Sequence, residues 1–380
     1  MKQLKKVLFL PLLKMPSGHH QVAEALMDIL ERRTTNICYK KIDLLSYTNE
    51  LLEKVVTGTY LKWIRYAPET YNMAYKHLFY EPPVHSFKWY HHVFAKKMEH
   101  LVKEENPDLI ICTHGFPSYL LSQLKAKGKC DVPIINVYTD FFINNLWGKE
   151  EIDFHFLPSE EVKKGLRAQS EIPLRNMMVT GIPVHEEITK TKTRTFKHPG
   201  NRNILIAGGS SGLGNIMDFY NDLKDARHFH YFVLCGKNQK LYEEIKGWEL
   251  QHVTPIPYIS SRTEMNELYE QVDAIVTKPG GITVSEALRK NLPIFVHSAL
   301  PGQEEVNLRY LTERNLVQEL KADQSLESQL QAVLQDADKM STLYNAIAAY
   351  HKEIEAQTPE ELLAVVNWIL GEKQTIGLHA

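Results

Sequence analysis

Short apolar runs alternate with amphipathic segments along most of the chain. Runs such as KVLFLPLL, DLIICT and PIINVYT are rich in branched side chains and have the length of buried strands. The first run is followed over residues 19–32 by a helical pattern, in which Val22, Leu26 and Ile29 share one face. This alternation predicts a parallel α/β sheet, because strands that run in the same direction need helical crossover connections.

A polar segment divides the chain. Residues 183–202 are bounded by proline and have no periodicity, which predicts an interdomain linker. After it the pattern restarts with NILIAGGSSG, HYFVLCG, VDAIVTKPGG and LPIFVHS, each followed by a helical segment. We therefore predict two doubly wound lobes, residues 1–182 and 203–357, as expected for a chain of 380 residues.

Composition and charge exclude several classes of protein. The net charge is -2, 24% of the residues are charged, and no apolar run approaches the length of about 18 residues that spans a bilayer. Residues 1–180 carry 24 Lys and Arg against 20 Asp and Glu, and the remaining residues carry 20 against 26. This small basic excess does not predict a nucleic-acid partner, although it suits contact with an anionic membrane surface.

The amino-terminal segment and the cysteines both indicate the cytoplasm. The apolar run VLFLPLL is short and no small-residue cleavage site follows it, so we expect a first strand rather than a signal peptide. Cys38, Cys112, Cys130 and Cys235 show no spacing typical of disulfides or zinc ligands. We expect a reducing compartment and no structural zinc.

Two glycine-rich turns, AGGSSGLGN at 207–215 and KPGGITVSEA at 278–287, each connect a predicted strand to a helix. Helix N-termini present unpaired N–H groups, and glycine lets an anion approach them closely. The first turn lacks the GxGxxG spacing and neither is a Walker sequence, which argues against NAD and ATP and leaves a diphosphate on another carrier. Either turn alone is equally consistent with an ordinary tight connection.

Three polar side chains near helix starts have the chemistry to bind sugar hydroxyls. Glu286 lies one turn into its helix, where its carboxylate is suited to accept two hydroxyls of a ribose. Gln303 and Glu304, in PGQEEVN, are suited to the hydroxyls of a sugar. The alternatives are a favourable acidic residue in a first helical turn and ordinary helix capping.

His19 and His20 open the first predicted helix, in PSGHHQVAEAL. A neutral imidazole can remove a hydroxyl proton near neutral pH, and the positive end of a helix favours the neutral form. His19 is the stronger candidate for a general base. The alternative for both residues is a surface histidine with no chemical role.

Taken together, these motifs resemble those of the monogalactosyldiacylglycerol synthase and processive diacylglycerol glucosyltransferase family, with the peptidoglycan N-acetylglucosaminyltransferases as more distant relatives. TKPGGITVSEA followed by PGQEEVN is the most specific part, and GHHQVAEAL, VYTDFF, VTGIPV and VLCGKN support it. The resemblance covers nearly the whole chain. It implies a GT-B fold, in which two Rossmann-like lobes face a central cleft and a C-terminal helix, residues 358–380, returns to the first lobe.

The resemblance also implies a UDP-sugar donor, UDP-glucose or UDP-galactose. The residues that it places against the donor are Gly18, Gly209, Ser210, Ser211, Tyr258, Ile259, Gly280, Gly281, Thr283, Glu286, Gln303 and Glu304. By resemblance, Tyr258 and Ile259 flank the uracil and Glu286 takes the ribose. Gln303 and Glu304 take hydroxyls of the hexose, and the remaining second-lobe positions meet the diphosphate.

The reaction implied by the resemblance is a single displacement that inverts the anomeric carbon. His19 acts as the base for the acceptor hydroxyl or helps to position it, and Asp140 shares that role. Helix N-termini and backbone amides stabilise the departing UDP, so no metal or other cofactor is expected. Two departures from the family pattern concern the acceptor: residues 15–17, before Gly18, are not glycine, and Asn144 stands where a histidine is common.

Residues 60–94 contain eleven aromatic side chains interleaved with lysine and arginine. Aromatic rings mixed with positive charge are typical of a membrane interface, which predicts a peripheral membrane surface with a lipid-binding groove. The alternative is that these rings, some at helical spacing, pack onto the sheet. The expected partners are a UDP-sugar, a lipid acceptor and the cytoplasmic face of a membrane, without nucleic acid.

Four functions are compatible with these patterns. The leading hypothesis is a UDP-hexose transferase that acts on diacylglycerol at the membrane. The others are transfer to a soluble small molecule, epimerisation of a nucleotide sugar, which would need acidic groups on both sides of the sugar C2, and nucleotide-sugar sensing without catalysis. The sequence does not distinguish glucose from galactose, and it gives neither the number of sugars added nor the oligomeric state.

Overall fold

The computed structural model describes residues 4–12, 17–48, 88–191, 202–208 and 220–371. These residues form two compact units. One unit takes in the described residues up to His185 together with those from Glu353 onward, and the other lies within Glu186–Lys352. The chain therefore passes into the second unit inside the predicted linker.

A six-stranded parallel sheet forms the centre of the first unit. Its strands are β1 (Lys5–Leu10), β2 (Ile37–Lys41), β3 (Leu109–Cys112), β4 (Ile134–Val137), β5 (Phe154–Leu157) and β6 (Met177–Val179). They lie in the order β2-β1-β3-β4-β5-β6. Every residue of β3, β4, β5 and β6 is buried, because helices cover both faces of a parallel sheet. Strands such as LIIC are therefore apolar throughout rather than alternating.

Helices connect these strands and cover the sheet. The described helices of the first unit are Gly18–Arg33, Leu44–Thr48, Lys88–Glu105, Gly115–Ala126, Glu160–Gln169 and Pro359–Ile369, with a 3-10 turn at Leu174–Asn176. Phe94, Met98 and Leu101 recur at helical intervals and pack into the core. Among the described helices, none is long and apolar enough to cross a membrane.

The last described helix, Pro359–Ile369, packs with the first unit. A capping box closes its first turn, since the Thr358 hydroxyl accepts the N–H of Glu361 at 3.4 Å and the Glu361 carboxylate accepts the N–H of Thr358 at 2.8 Å. Near its other end, the ring of Trp368 lies edge-on to Phe154 of β5, with 6.2 Å between centroids. The chain thus contributes to the first unit from both of its ends.

The second unit repeats this architecture. Its parallel strands are β7 (Arg202–Ala207), β8 (Phe229–Leu234), β9 (Val253–Ile256), β10 (Ala274–Thr277), β11 (Ile294–Val296) and β12 (Gln318–Glu319), in the order β12-β11-β10-β7-β8-β9. Its described helices are Tyr220–Asp225, Gln239–Lys246, Arg262–Gln271, Gly281–Arg289, Gln303–Glu313, Leu326–Leu334 and Ala337–Glu353, the last of which ends at the unit boundary. The predicted fold class, with two doubly wound α/β lobes, is confirmed.

Residues 186–191 of the predicted linker belong to the second unit, and two of them are held there by hydrogen bonds. Ile188 is fully buried, and Arg289 Nε donates to its carbonyl at 2.6 Å. Lys290 is also fully buried, and its ammonium donates to the carbonyl of Thr189 at 3.0 Å and pairs with Glu270. A buried ammonium needs such partners. Part of the polar segment that predicted a linker is therefore held against the second unit by hydrogen bonds.

Gly148 lies in the loop between β4 and β5, at a point where a side chain does not fit. Its N–H donates to Ser118 Oγ at 3.1 Å, and its carbonyl accepts from Asn136 Nδ2 at 2.8 Å. A Cβ at this position would lie 2.5 Å from Ser122 Cβ and 2.7 Å from the carbonyl oxygen of Ser118. The loop that follows β4 is therefore held in place at Gly148.

Gly148→Ala is expected to lower the free energy of unfolding by about 1–3 kcal/mol, because the added methyl group overpacks this contact. Gly165→Ala is the matched control. Gly165 lies in the helix Glu160–Gln169, and apart from its chain neighbours and the backbone of its own helix no described residue has an atom within 4 Å of a Cβ placed there. Alanine at 165 should raise stability by up to about 1 kcal/mol. Urea unfolding measures both changes, and a Gly148→Ala protein as stable as the parent would contradict the packing.

Candidate active site

Three loops meet at the carboxyl edge of the first sheet. His19 lies at the start of the helix that follows β1, His114 follows β3, and Thr139 and Asp140 follow β4. β1 and β3 are neighbours, and the next strands lie on opposite sides of this pair. Such a switch point is where open α/β sheets bind ligands. The structure thus places the predicted residues His19 and Asp140 at one edge.

The His19 ring is held by two oxygen atoms. Its Nδ1 lies 2.8 Å from the carbonyl oxygen of Thr113 and 2.9 Å from Thr139 Oγ1. A carbonyl oxygen only accepts hydrogen bonds, so Nδ1 carries the proton. The neutral imidazole then has its lone pair on Nε2, which is the atom available to accept a proton. The orientation of His19 and its tautomer are therefore fixed by residues after β3 and β4.

Burial keeps His19 neutral. Desolvation lowers its pKa to about 4, the hydrogen bond with the Thr113 carbonyl partly opposes this, and neighbouring His20 lowers the pKa further. At neutral pH the ring is therefore unprotonated, which is the state that a general base requires. The position at a helix N-terminus acts in the same direction, because the positive end of the helix disfavours an imidazolium.

His114 is a site residue that sequence reasoning missed. Its Nδ1 accepts the N–H of Phe116 at 3.0 Å and so caps the helix Gly115–Ala126. The neutral ring must then carry its proton on Nε2. The ring lies edge-on to His19 with 4.6 Å between centroids, and burial holds the pKa of His114 well below its usual range. The available signal was its position directly after the strand run DLIICT, at the carboxyl edge.

The other first-lobe residues singled out in the sequence have local roles in the fold. Gly18 is the first residue of its helix. His20 is buried, and its Nε2 lies 3.2 Å from Asp43 Oδ1. The Asn144 side-chain oxygen accepts the N–H of Leu146 at 3.1 Å, which closes the turn after β4. Asn144 therefore shapes this loop.

The second unit has its own switch point, between β7 and β10. Thr277 Oγ1, at the end of β10, donates to the carbonyl of Ala207, at the end of β7, at 3.0 Å. Beyond β10 the short segment 278–280 leads into the helix Gly281–Arg289. The two glycine-rich turns predicted to bind a diphosphate therefore leave from neighbouring strands, at the edge where ligands bind in this class of sheet.

Gly280 begins this helix without any structural need for glycine. It is the N-cap, has φ -81° and ψ 140°, and supplies no side-chain cap to the N–H groups of the first turn. Apart from Gly280 and its two chain neighbours, no described residue has an atom within 4 Å of a Cβ placed at Gly280. Gly281 is buried and Thr283 half-buried. The turn thus presents bare backbone to a space that the described protein does not fill.

The loops that hold the other predicted donor residues follow one another along the same edge. The loop before the helix Gln303–Glu313 comes first, then the segment 278–280, then the carboxyl end of β7, and then the loops after β8 and β9. Tyr258, after β9, is 45% exposed, the Lys237 ammonium lies 4.9 Å from its ring centroid, and Ile259 is half-buried. Four strand spacings of about 4.8 Å separate the two ends of this row by roughly 19 Å.

Two predicted carboxylates already have partners inside the protein. Tyr269 donates its hydroxyl to Glu286 Oε2 at 2.8 Å, and burial raises the pKa of Glu286 while this hydrogen bond opposes the shift. The N–H of Leu300 donates to Glu304 Oε2 at 2.6 Å, so Glu304 also shapes the loop before its helix. Gln303, the first residue of that helix, is half-buried.

Some predicted residues lie outside the described part of the chain. They are Gly209, Ser210 and Ser211 of the first glycine-rich turn, residues 15 and 16, and the aromatic residues between 60 and 87. Of the aromatic set, Phe94 is described, and it is buried against Phe116 with 5.4 Å between ring centroids. This residue packs in the core, whereas the predicted membrane surface as a whole stays a prediction.

Comparisons with known proteins agree with this architecture. Residues 19–184 match the family described as monogalactosyldiacylglycerol (MGDG) synthase, and residues 203–362 match the glycosyltransferase family 28 C-terminal domain. The glycosyltransferase YkoN of Bacillus subtilis (strain 168) is 40% identical over 369 residues, which cover 96% of this chain and 98% of YkoN. The processive diacylglycerol beta-glucosyltransferase of Bacillus cereus (strain B4264) is 27% identical over 378 residues, covering 96% and 93%.

Solved structures share the fold at low sequence identity. The S. aureus MnaA–UDP co-structure has a TM-score of 0.61 at 14% identity and covers 97% of this chain and 98% of its own. CalG4, the calicheamicin glycosyltransferase, has a TM-score of 0.61 at 14% identity, with coverage of 98% and 99%. These structures therefore show the GT-B fold. The chain belongs to the glycosyltransferase family that combines an MGDG synthase region with a family 28 C-terminal domain, which confirms the resemblance seen in its motifs.

The buried histidines predict how stability depends on pH. Burial lowers the pKa of His155, in β5, to about 3, whereas an unfolded histidine titrates near 6.5. Between these values the unfolded chain binds a proton that the folded chain does not, so stability should fall as the pH decreases below about 6.5. In His155→Asn the dependence of the melting temperature on pH between 7 and 5 should be shallower, as measured by thermal unfolding in matched buffers.

His100→Asn serves as the control for this measurement. His100 is exposed on the helix Lys88–Glu105, with 3.9 Å between its Nε2 and Glu104 Oε2. Its replacement should leave the slope of the parent unchanged. Equal slopes in His155→Asn and the parent would show that burial of His155 does not contribute to the pH dependence.

Proposed function

We propose that this glycosyltransferase moves a hexose from UDP-glucose or UDP-galactose to a lipid hydroxyl, with diacylglycerol as the acceptor and inversion at the anomeric carbon. The observation that carries the proposal is the uncapped glycine start of the helix Gly281–Arg289, at the switch point of the second sheet. Two comparisons support it. A relative is named for diacylglycerol glucosylation, and one solved structure with this fold contains UDP.

The donor occupies the row of loops along the second sheet. Its diphosphate binds the N–H groups at the start of the helix Gly281–Arg289, where the helix dipole favours negative charge. Gly209, Ser210 and Ser211 complete the diphosphate site. Tyr258 lies at the uracil end of the row, and Gln303 lies at the hexose end. This order matches the order of the groups within a UDP-hexose, with the diphosphate between the base and the sugar.

The chemical step is a single displacement. His19 Nε2 takes the proton of the acceptor hydroxyl as its oxygen forms a bond to the anomeric carbon, on the face opposite the diphosphate. The bond from that carbon to the β-phosphate oxygen breaks, and its electron pair leaves with UDP. An anionic donor favours the protonated imidazole and so strengthens His19 as a base. Asp140 shares the role of His19, and the helix start stabilises UDP without a metal.

The acceptor is assigned to the first unit, in which His19 and His114 line the switch point. A lipid acceptor requires the enzyme to work at a membrane surface, and we assign this contact to the aromatic and basic segment 60–94 at the cytoplasmic face. The alternative acceptor is a soluble small molecule. It would use the same donor site and the same base.

Gly280→Ala tests the donor site. The free protein should keep its melting temperature, because the backbone angles and the open space tolerate a methyl group. UDP should bind at least about tenfold more weakly, because the methyl group blocks close approach to the helix N-terminus. Titration calorimetry with UDP measures the change, with Gly165→Ala as the control that should bind like the parent. Equal UDP affinity in Gly280→Ala and the parent would show that the diphosphate does not bind at this turn.

The acceptor is tested by product analysis. The protein, incubated with UDP-glucose or UDP-galactose and liposomes that contain diacylglycerol, should form a hexosyl diacylglycerol that mass spectrometry detects. His19→Ala should reduce turnover by about 100-fold or more, as expected for loss of a general base, while UDP affinity stays within about twofold of the parent.

The outcomes of this experiment separate the alternatives. If a sugar is transferred to a soluble acceptor in a metabolite extract and no glycolipid forms, the acceptor is a small molecule rather than a lipid. UDP binding with no transfer in any extract would favour a sensor of nucleotide sugars. Full activity of His19→Ala would show that His19 is not the general base, and Asp140 would then be the candidate for that role.

A further inference from the structure

A buried pair of polar side chains lies behind the proposed donor site. Tyr269, on the helix Arg262–Gln271, is 1% exposed, and Glu286, on the helix Gly281–Arg289, is 6% exposed. The Tyr269 hydroxyl donates to Glu286 Oε2 at 2.8 Å. The other carboxylate oxygen, Oε1, receives no hydrogen bond from the residues that the structure describes. One oxygen of Glu286 is thus engaged inside the protein, and one is not.

Core stability does not account for this pair. A carboxylate is costly to bury, and an apolar pair of similar size packs between two helices without that cost. Desolvation raises the pKa of Glu286 in the fold, whereas the bond from Tyr269 and the charge of Arg262 lower it. A buried acid that keeps one oxygen unengaged is the arrangement expected where that oxygen receives a hydrogen bond from a ligand.

We propose that Tyr269 is a positioning residue for recognition of the ribose of the donor nucleotide. It occupies Oε2 of Glu286 and thereby holds the carboxylate in the orientation in which Oε1 accepts a ribose hydroxyl. This inference rests on the proposed UDP-sugar function and refines it.

The readout is discrimination between UDP and its deoxy analogues. A site that offers a buried acceptor to a hydroxyl rejects the ligand that lacks it, because the acceptor is then left without a partner. Two analogues are compared with UDP in the parent protein, 2′-deoxy-UDP and 3′-deoxy-UDP. The analogue that binds more weakly should have a Kd at least about tenfold above that of UDP. The analogue with the larger loss identifies the hydroxyl that Glu286 binds.

Tyr269→Phe removes the hydroxyl that donates a hydrogen bond to Glu286 and keeps the aromatic ring. The carboxylate is then free to rotate, so the ratio of the deoxy-UDP Kd to the UDP Kd should fall to about three or below. Tyr231→Phe is the matched control, since Tyr231 is a fully buried tyrosine of the same unit, on β8. That variant should keep the ratio of the parent. A loss of packing alone would weaken UDP and its analogues equally and leave the ratio unchanged.

Glu286→Gln provides the second variant and should also lower the ratio to about three or below. An unchanged ratio in Tyr269→Phe overturns the inference while leaving the proposed function in place. If Tyr269→Phe does not fold, Glu286→Gln decides, and a parental ratio in that variant overturns the inference. A parent protein that fails to bind UDP overturns the proposed function itself, which is a different result from binding without discrimination.

Discussion

Parallel pairing of buried strands is the constraint on which both candidate sites depend. In each unit two neighbouring strands, β1 with β3 and β7 with β10, run side by side while their connections pass to opposite sides of the sheet. Covalent geometry then leaves a gap above their carboxyl ends, and polar groups in the loops face that gap without breaking a strand. One gap receives imidazole rings, and the other receives the bare start of a helix. The same architectural element thus provides two kinds of chemistry in one chain.

Desolvation acts on two titratable groups with different consequences. His19 is held in its neutral form, because burial disfavours the imidazolium. The Thr113 carbonyl keeps the one remaining proton on Nδ1. Glu286 is also disfavoured in its charged form, but a phenol donates to it and offsets part of the cost. In both cases a neighbour on another element of the fold sets the state of the reactive atom. The candidate chemistry therefore belongs to pairs of residues rather than to single side chains.

Features carried by residues that are close together in the sequence could be predicted. Contacts between residues that are far apart in the sequence could not. The two lobes, the switch-point turn at Gly280 and the position of His19 follow from local patterns, since a strand, a turn and a helix are neighbours in sequence. His114 stayed hidden because it matters only once β3 lies beside β1. Tyr269 stayed hidden because a tyrosine at a helical core position looks like packing until Glu286 is placed against it. The segment around Thr189 was likewise predicted to be a linker, because its contact with Lys290 joins residues that are far apart in the sequence.

The helix Gly281–Arg289 has only nine residues, so its two ends lie about 13 Å apart. Its first turn faces the gap above the second sheet, and its last residue, with Lys290, grips the carbonyls of Ile188 and Thr189. An α-helix of this length is a stiff rod, so its two ends keep a fixed spacing. One short helix therefore sets the distance, within this unit, between the bare glycine start and the segment by which the chain enters.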